Sequence, residues 1–270
     1  MANLETITGS LENALARADR RTIQHAWEIT NDRRAQPDLR EQWFWTADFP
    51  LYRVEDGEAV LYFAPGEYNL VFDNIGDAAP QIKANGNYMP PKRDEARVVR
   101  SAKSGKTLRV PLSELGLREE NAERCFFEID TAGYDALNPV QRALAEWIYG
   151  RGEDFRLNMK VLREEGKVTV TKVYLLNPKY IREHARAGAI GRVSWLDDFY
   201  DGLLFIVLDR DIGSANGFLR AAPQARGGEG ESAALAEAFA AVMRRVAEWT
   251  PEMYAAFSRA ITDRLKRLDG

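Results

Sequence analysis

The chain has a single cysteine, Cys125, so no internal disulfide can form. Cys125 sits in "ERCFFEID", an apolar run of strand character, where a thiol serves as a small hydrophobe. There are only two histidines, His25 and His184. Each falls in a segment of helical spacing with no second His or Cys at i+3 or i+4, so no metal site is expected. Basic charge is not in excess: 37 Lys and Arg stand against 41 Asp and Glu, for a net charge of -4. That balance lacks the footprint of a nucleic-acid-binding surface. No apolar run approaches the roughly 18 residues of a membrane span. The opening "MANLETITGSLENALARADRR" has no apolar h-region, so no secretion signal is expected. These absences point to a reducing compartment: a cytoplasmic protein, or one carried in a virion assembled there. What remains is ample for a proper core, with 45% of the 270 residues hydrophobic.

The most informative absence is local. From Leu196 to Asn216, "LDDFYDGLLFIVLDRDIGSAN", there is no Lys, Glu, Gln, Met or Trp. Phe, Tyr, Leu, Ile, Val, Asp, Gly, Ser, Ala, Asn and Arg are all present. An Asn codon, AAC or AAT, yields this division when its adenines alone are randomised. The last base stays a pyrimidine, and the five missing types become unreachable. The middle of the segment is as apolar as a buried strand, while its flanks "DDFYDG" and "DRDIGSANG" read as loops. Asp, Tyr, Gly, Ser and Asn mixed with bulky apolar residues is the composition of adaptable binding loops. Such loops work on a rigid support.

Around this segment the pattern is mixed. Residues 10–35 read as one amphipathic helix, capped at Ser10 and stopped by Pro37. "WFWTADFPLYRVEDGEAVLYFAPGEYNLVFDN" is strand-like with "EDG" as a hairpin turn. A long polar loop is expected over residues 74–96, followed by strands in "RVVRSAKSGKTLRVPL" and "RCFFEID". "NPVQRALAEWIYG" carries Asn138 and Pro139 at a helix start and Gly150 at its end. A second helix, the strand "KVTVTKVYLLN" and a third helix closing at Gly188 come next. "QARGGEGE" at 224–231 reads as a linker. Beyond it, Leu235, Phe239, Val242, Val246 and Trp249, then Met253, Phe257, Ile261 and Leu265, mark two amphipathic helices.

Several features invite chemistry and are better read otherwise. "AKSGKT" resembles the end of a phosphate-binding loop, but Arg100 stands where a glycine is required, and a strand rather than a helix follows the lysine. A turn with a solvated lysine is the plainer reading. Asp197, Asp198, Asp209 and Asp211 could gather a divalent cation for phosphoryl chemistry, or be loop residues. Trp43 and Trp45 beside a strand read as core. Glu119, Glu120 and Glu123 read as a solvated face.

"VYLLNPKYIREHARAGAIGRVSWL" followed by "GFLRAA" resembles the variable proteins of diversity-generating retroelements, over residues 170–222. In that family, adenine-specific mutagenesis rewrites a short segment. One branch has a strand ending in "LNP", a short helix, a "GA" pair and an aromatic-anchored variable segment closed by an Arg-containing strand. Phe199, Phe205, Arg210 and Ile212 fall at the framework spacing. The usual Gly-Gly-Ser-Trp opening is here Arg192-Val193-Ser194-Trp195, Leu203 and Val207 stand where smaller residues are usual, and the chain runs on to Gly270.

The resemblance implies an α+β, C-type-lectin-like domain of mixed antiparallel strands and short helices, with flanking N- and C-terminal helices. The expected divisions are an N-terminal helix in 1–40, a ligand-binding domain in 41–225 with its variable segment at 196–216, and a linker and helical hairpin in 226–270. Its implied function is binding, without catalysis, cofactor or metal. The partner would be a protein or other macromolecule, with a homo-oligomer as a further option. The ligand-facing residues would be Asp197, Asp198, Tyr200, Asp201, Gly202, Leu204, Ile206, Leu208, Asp209, Asp211, Gly213, Ser214, Ala215 and Asn216. Trp195, Phe199, Phe205 and Phe218 would be inward anchors, and Arg210 and Arg220 would tie the segment to carboxylates or backbone carbonyls. Strand parity sets Trp195, Phe199 and Phe205 on the core side and Leu204, Ile206 and Leu208 outward. The competing readings are a cytoplasmic metal-dependent enzyme using the aspartates of 197–211, and a structural subunit whose apolar 203–208 run is an oligomer interface.

Overall fold

The structure is a computed structural model that describes residues 5–9, 11–18, 22–196, 203–210 and 217–221. The chain divides into two compact units, Met1–Pro223 and Gln224–Gly270. The second lies outside the described residues, and with it the expected linker and helical hairpin.

Two sheets carry the first unit. The smaller is built on the hairpin of β3 (Phe49–Glu55) and β4 (Glu58–Ala64). Asp56 and Gly57, at φ 49° and 83°, form the tight turn expected of "EDG". β5 (Leu108–Pro111) and β9 (Ile190–Gly191) complete it in the order β5-β4-β3-β9. Gly191 is required here, because a Cβ would sit 2.9 Å from the Phe49 ring.

The larger sheet holds β1 (Glu5–Gly9), β2 (Phe44–Trp45), β6 (Arg118–Glu119), β7 (Arg124–Asp130), β8 (Val170–Leu176), β10 (Val193–Leu196), β11 (Leu203–Arg210) and β12 (Gly217–Ala221). Their order is β1-β12-β2-β10-β11-β8-β7-β6. β11 is therefore an interior strand, antiparallel to β10 and parallel to β8. β7 and β8 alternate strictly: Cys125, Phe127, Ile129, Thr171, Val173 and Leu175 are buried, and the residues between them are half-buried or exposed. The buried face packs on α6 (Pro139–Tyr149) and α7 (Glu153–Glu164) through Leu144, Ile148, Phe155 and Met159. Asn138 caps α6 by accepting from the Val140 and Gln141 amides at 3.0 and 2.9 Å, and Gly150 ends it.

The structure departs from the sequence reading in three places. The single N-terminal helix is instead β1, α1 (Leu11–Arg17) and α2 (Ala26–Ala35), and Ser10 lies outside the described residues. β1 pairs with β12, so this segment belongs to the large sheet. The polar loop over 74–96 is mostly helical, formed by α4 (Ile75–Asn85) and the start of α5 (Lys92–Lys103), and helix also replaces expected strand in α3 (Leu70–Asp73) and in the "RVVRSAK" part of α5. These helices bury narrow stripes, Ala78, Ala79 and Ile82 in α4 and Val98 and Ser101 in α5, too thin to show as an apolar face. α5 carries Asp94 and Glu95 in its first turn and Arg100 and Lys103 in its last, the arrangement its dipole favours. In "AKSGKT", Lys103 thus ends a helix and Lys106 precedes β5, the reverse of a phosphate-binding loop. α8 (Pro178–His184) stops before Gly188, with His184 stacked on Tyr180 at 4.0 Å.

Leu204 registers with Thr171, and Ile206 with both Val173 and Leu196, all three of which have no exposed surface. The outward facing expected of Leu204, Ile206 and Leu208 concerns side chains that lie outside the described ones.

Candidate functional site

The segment 196–216 is held at both ends. At its entry, β10 pairs with β2, Trp195 opposite Trp45 and Leu196 opposite Phe44. Trp195 stacks near Trp43 and Trp45, with ring centroids 4.4 and 5.6 Å away, and all three rings pack in a second core with Ile7, Leu11 and Leu15. Just before it, the buried Arg192 donates to Glu123 Oε1 at 2.8 Å, its guanidinium passing Gly86 so closely that a Cβ there would meet Nη1 at 3.2 Å. Glu123, read as merely solvated, is the anchor of this arginine. Arg192 therefore brings a buried cation and its counter-charge to the entry of the segment.

At the exit, Arg220 of β12 is 6% exposed. Its Nη2 donates to Asp32 Oδ2 at 3.0 Å, its Nε to Gln24 Oε1 at 3.1 Å and its Nη1 to Thr6 Oγ1 at 3.2 Å. Gln24 also donates to Asp32 at 2.9 Å, so the guanidinium lies in a network drawn from β1 and α2. Phe218 registers with Phe44.

Between these anchors, Leu204, Phe205, Ile206, Leu208, Asp209 and Arg210 lie on β11, with Arg210 in register with Val193. Asp197, Asp198, Phe199, Tyr200, Asp201, Gly202, Asp211, Gly213, Ser214, Ala215 and Asn216 fall outside the described residues. Of the four aspartates considered for a metal, Asp209 alone is described. Among the described residues no group of three or more His, Cys, Asp or Glu could hold a metal ion, and no helix is long and apolar enough to cross a membrane.

Beside β11 lies a surface the sequence did not suggest. Leu203, Phe205 and Val207 register with Val170, Lys172 and Tyr174, which are half-buried. Lys172 sits 4.6 Å from the Phe126 ring, Arg124 lies 5.3 Å from the Tyr174 ring, and the two rings are 5.6 Å apart. Glu128 pairs with Arg118 at 2.6 Å and with Lys172 at 3.8 Å. Period-two alternation in "RCFFEID" and "VTKVYLL" carried the signal for this face.

His25 stands apart from the segment. It caps α2, its amide donating to Glu28 Oε2 at 2.7 Å, and its Nδ1 lies 2.8 Å from Asp48 Oδ1. Asp48 is buried and also accepts from the Ala26 amide at 2.8 Å. Burial alone would depress the imidazole pKa, but the Asp48 charge and hydrogen bond outweigh it, and Glu28 and Glu67 add to them, so it is raised.

No known protein family matches the sequence, and no curated protein matches it. A solved structure described as "Accommodation of massive sequence variation in Nanoarchaeota by the C-type lectin fold" is similar, with a TM-score of 0.56 over 80% of this chain and 97% of that one, at 10% identity. That likeness establishes the class of architecture: a C-type lectin fold, α+β, with helices on mixed sheets.

Two outcomes are expected here. Arg220→Met should cost about 2–3 kcal/mol, below the figure for a fully enclosed pair because Asp32 keeps part of its side-chain surface in water; chemical denaturation measures it. A raised histidine pKa means that the His25–Asp48 pair stabilises fully below the unfolded value of about 6.5, and less as pH rises through the folded value. The stability gap between wild type and His25→Asn should therefore narrow from pH 6 to pH 9 in paired urea titrations.

Proposed function

We propose that this chain is a binding protein that displays residues 196–216 as a diversified, ligand-facing segment. The observation that carries this reading is a coincidence in position. The restricted residue alphabet spans the β10–β11–β12 crossing of a C-type lectin fold, and it begins and ends beside the Trp195 cluster and the Arg220 network. The similar structure is described as accommodating massive sequence variation on this fold. The fold is in general one used for binding rather than catalysis.

On this reading Asp197, Asp198, Tyr200, Asp201, Gly202, Leu204, Ile206, Leu208, Asp209, Asp211, Gly213, Ser214, Ala215 and Asn216 meet the ligand. The half-buried row of Lys172, Tyr174, Phe126 and Arg124 would border the ligand as a constant surface. The partner is a protein or other macromolecule, recognised by hydrogen bonds and aromatic contacts on a rigid frame.

The direct test is the coding DNA. A near-copy of codons 196–216 should lie close by, differing from the gene at adenine positions of the copy and accompanied by a reverse transcriptase. Its absence from the complete source genome would remove the diversification half of the proposal.

A further inference from the structure

We propose that the cavity between the start of α2 and the α6–α7 turn is a site for a guanidinium group, as presented by an arginine side chain of a partner protein. The site is remote in sequence from the variable segment and does not depend on its role.

The cavity measures about 390 Å³, ample for a guanidinium and its aliphatic stem. Two indoles wall it. Trp27 is 40% exposed, one of two large hydrophobic side chains left so open among the described residues. A tryptophan standing in water at a cavity mouth is costly for a chain with nothing to place against it. Trp147 packs edge-on to Phe63 at 6.4 Å, and the guanidinium carbon of Arg151 lies 5.0 Å from its ring centroid. The chain's own arginine thus shows that this wall accepts a planar cation.

Charge selects the ligand further. Asp48, Glu146 and Asp154 line the cavity, against Arg151 and His25. Asp48 is spent, with one oxygen on His25 and the other on the Ala26 amide. The other two carboxylates are half-engaged. Glu146 accepts from Arg142 through Oε1 at 3.0 Å, and Asp154 from Arg34 through Oδ1 at 3.4 Å. Neither arginine lines the cavity. Glu146 Oε2 and Asp154 Oδ2 remain to accept from an incoming donor. An anion would meet three carboxylates here. A guanidinium offers five donors in a planar fork, which suits two free carboxylate oxygens and an indole face together. A lysine ammonium, compact and strongly hydrated, exploits the indole less well.

The test is calorimetric titration of the intact chain with N-acetyl-arginine amide, its neutral isostere N-acetyl-citrulline amide, and N-acetyl-lysine amide. Saturable binding of the arginine compound is expected, with the citrulline compound at least about tenfold weaker. Trp27→Ala and Asp154→Asn should each weaken arginine binding by about three- to tenfold, with cooperative unfolding retained, since Trp27 is exposed and Asp154 gives up one surface ion pair with Arg34. Equal binding of arginine and citrulline, equal binding of arginine and lysine, no saturable heat at millimolar arginine compound, or variants that bind as wild type would each overturn the assignment.

Discussion

The buried guanidinium of Arg220 is the constraint on which the architecture turns. A cation withdrawn from water must keep its partners, and Arg220 draws them from β1, from the residue before the α2 cap and from α2 itself. That requirement explains why the first strand of the chain pairs with the last strand described. It also fixes the point at which the chain leaves the 196–216 segment. At the other end, three indoles and the Arg192–Glu123 pair do the same by packing and charge. β11 then crosses the sheet with a neighbour on each side, so the backbone hydrogen bonds that hold it do not depend on side-chain identity.

This division suits the proposed diversification of the segment. The residues that fix register lie before Leu196 and after Asn216, in positions with no exposed surface or with several specific partners. A frame of that kind absorbs the entropy cost of ordering loops before any ligand arrives. Among the described residues the sheet is covered on both faces near β10, by the α6–α7 layer and by the Trp195 core, while one face of β8 and β7 is half-buried. There, aromatic rings and their capping cations form a surface next to β11.

Much of this was legible in the sequence. Asn138-Pro139 and Gly150 bracket α6 as their capping chemistry predicts, Asp56-Gly57 sets the hairpin, and alternation marks β7 and β8. Pattern failed where burial is narrow. α4 holds Pro80 within it and buries little more than two alanines and an isoleucine, and α5 is polar over most of its surface. β1, "ETITG", is a short edge strand stabilised by its pairing with β12, a contact no local window contains. At the segment itself, the apolar run marked β11 as a strand, while its partners β10 and β8 lie in distant windows of the sequence. The cavity at α2 escaped notice because Asp48, Trp27 and Trp147 are joined by tertiary packing rather than spacing.

The most direct test of the central claim is a sorted library in which codons 197–202 and 211–216 are recoded as AAC and randomised at adenines, with folded chains scored by protease resistance and melting. The account predicts that most members keep a melting midpoint close to that of the parent, while the same randomisation applied to Leu196, Val173, Arg220 and Asp32 leaves few folded chains. If the two libraries lose folded members at the same rate, the segment is an ordinary part of the core and the frame described here does not exist to display it.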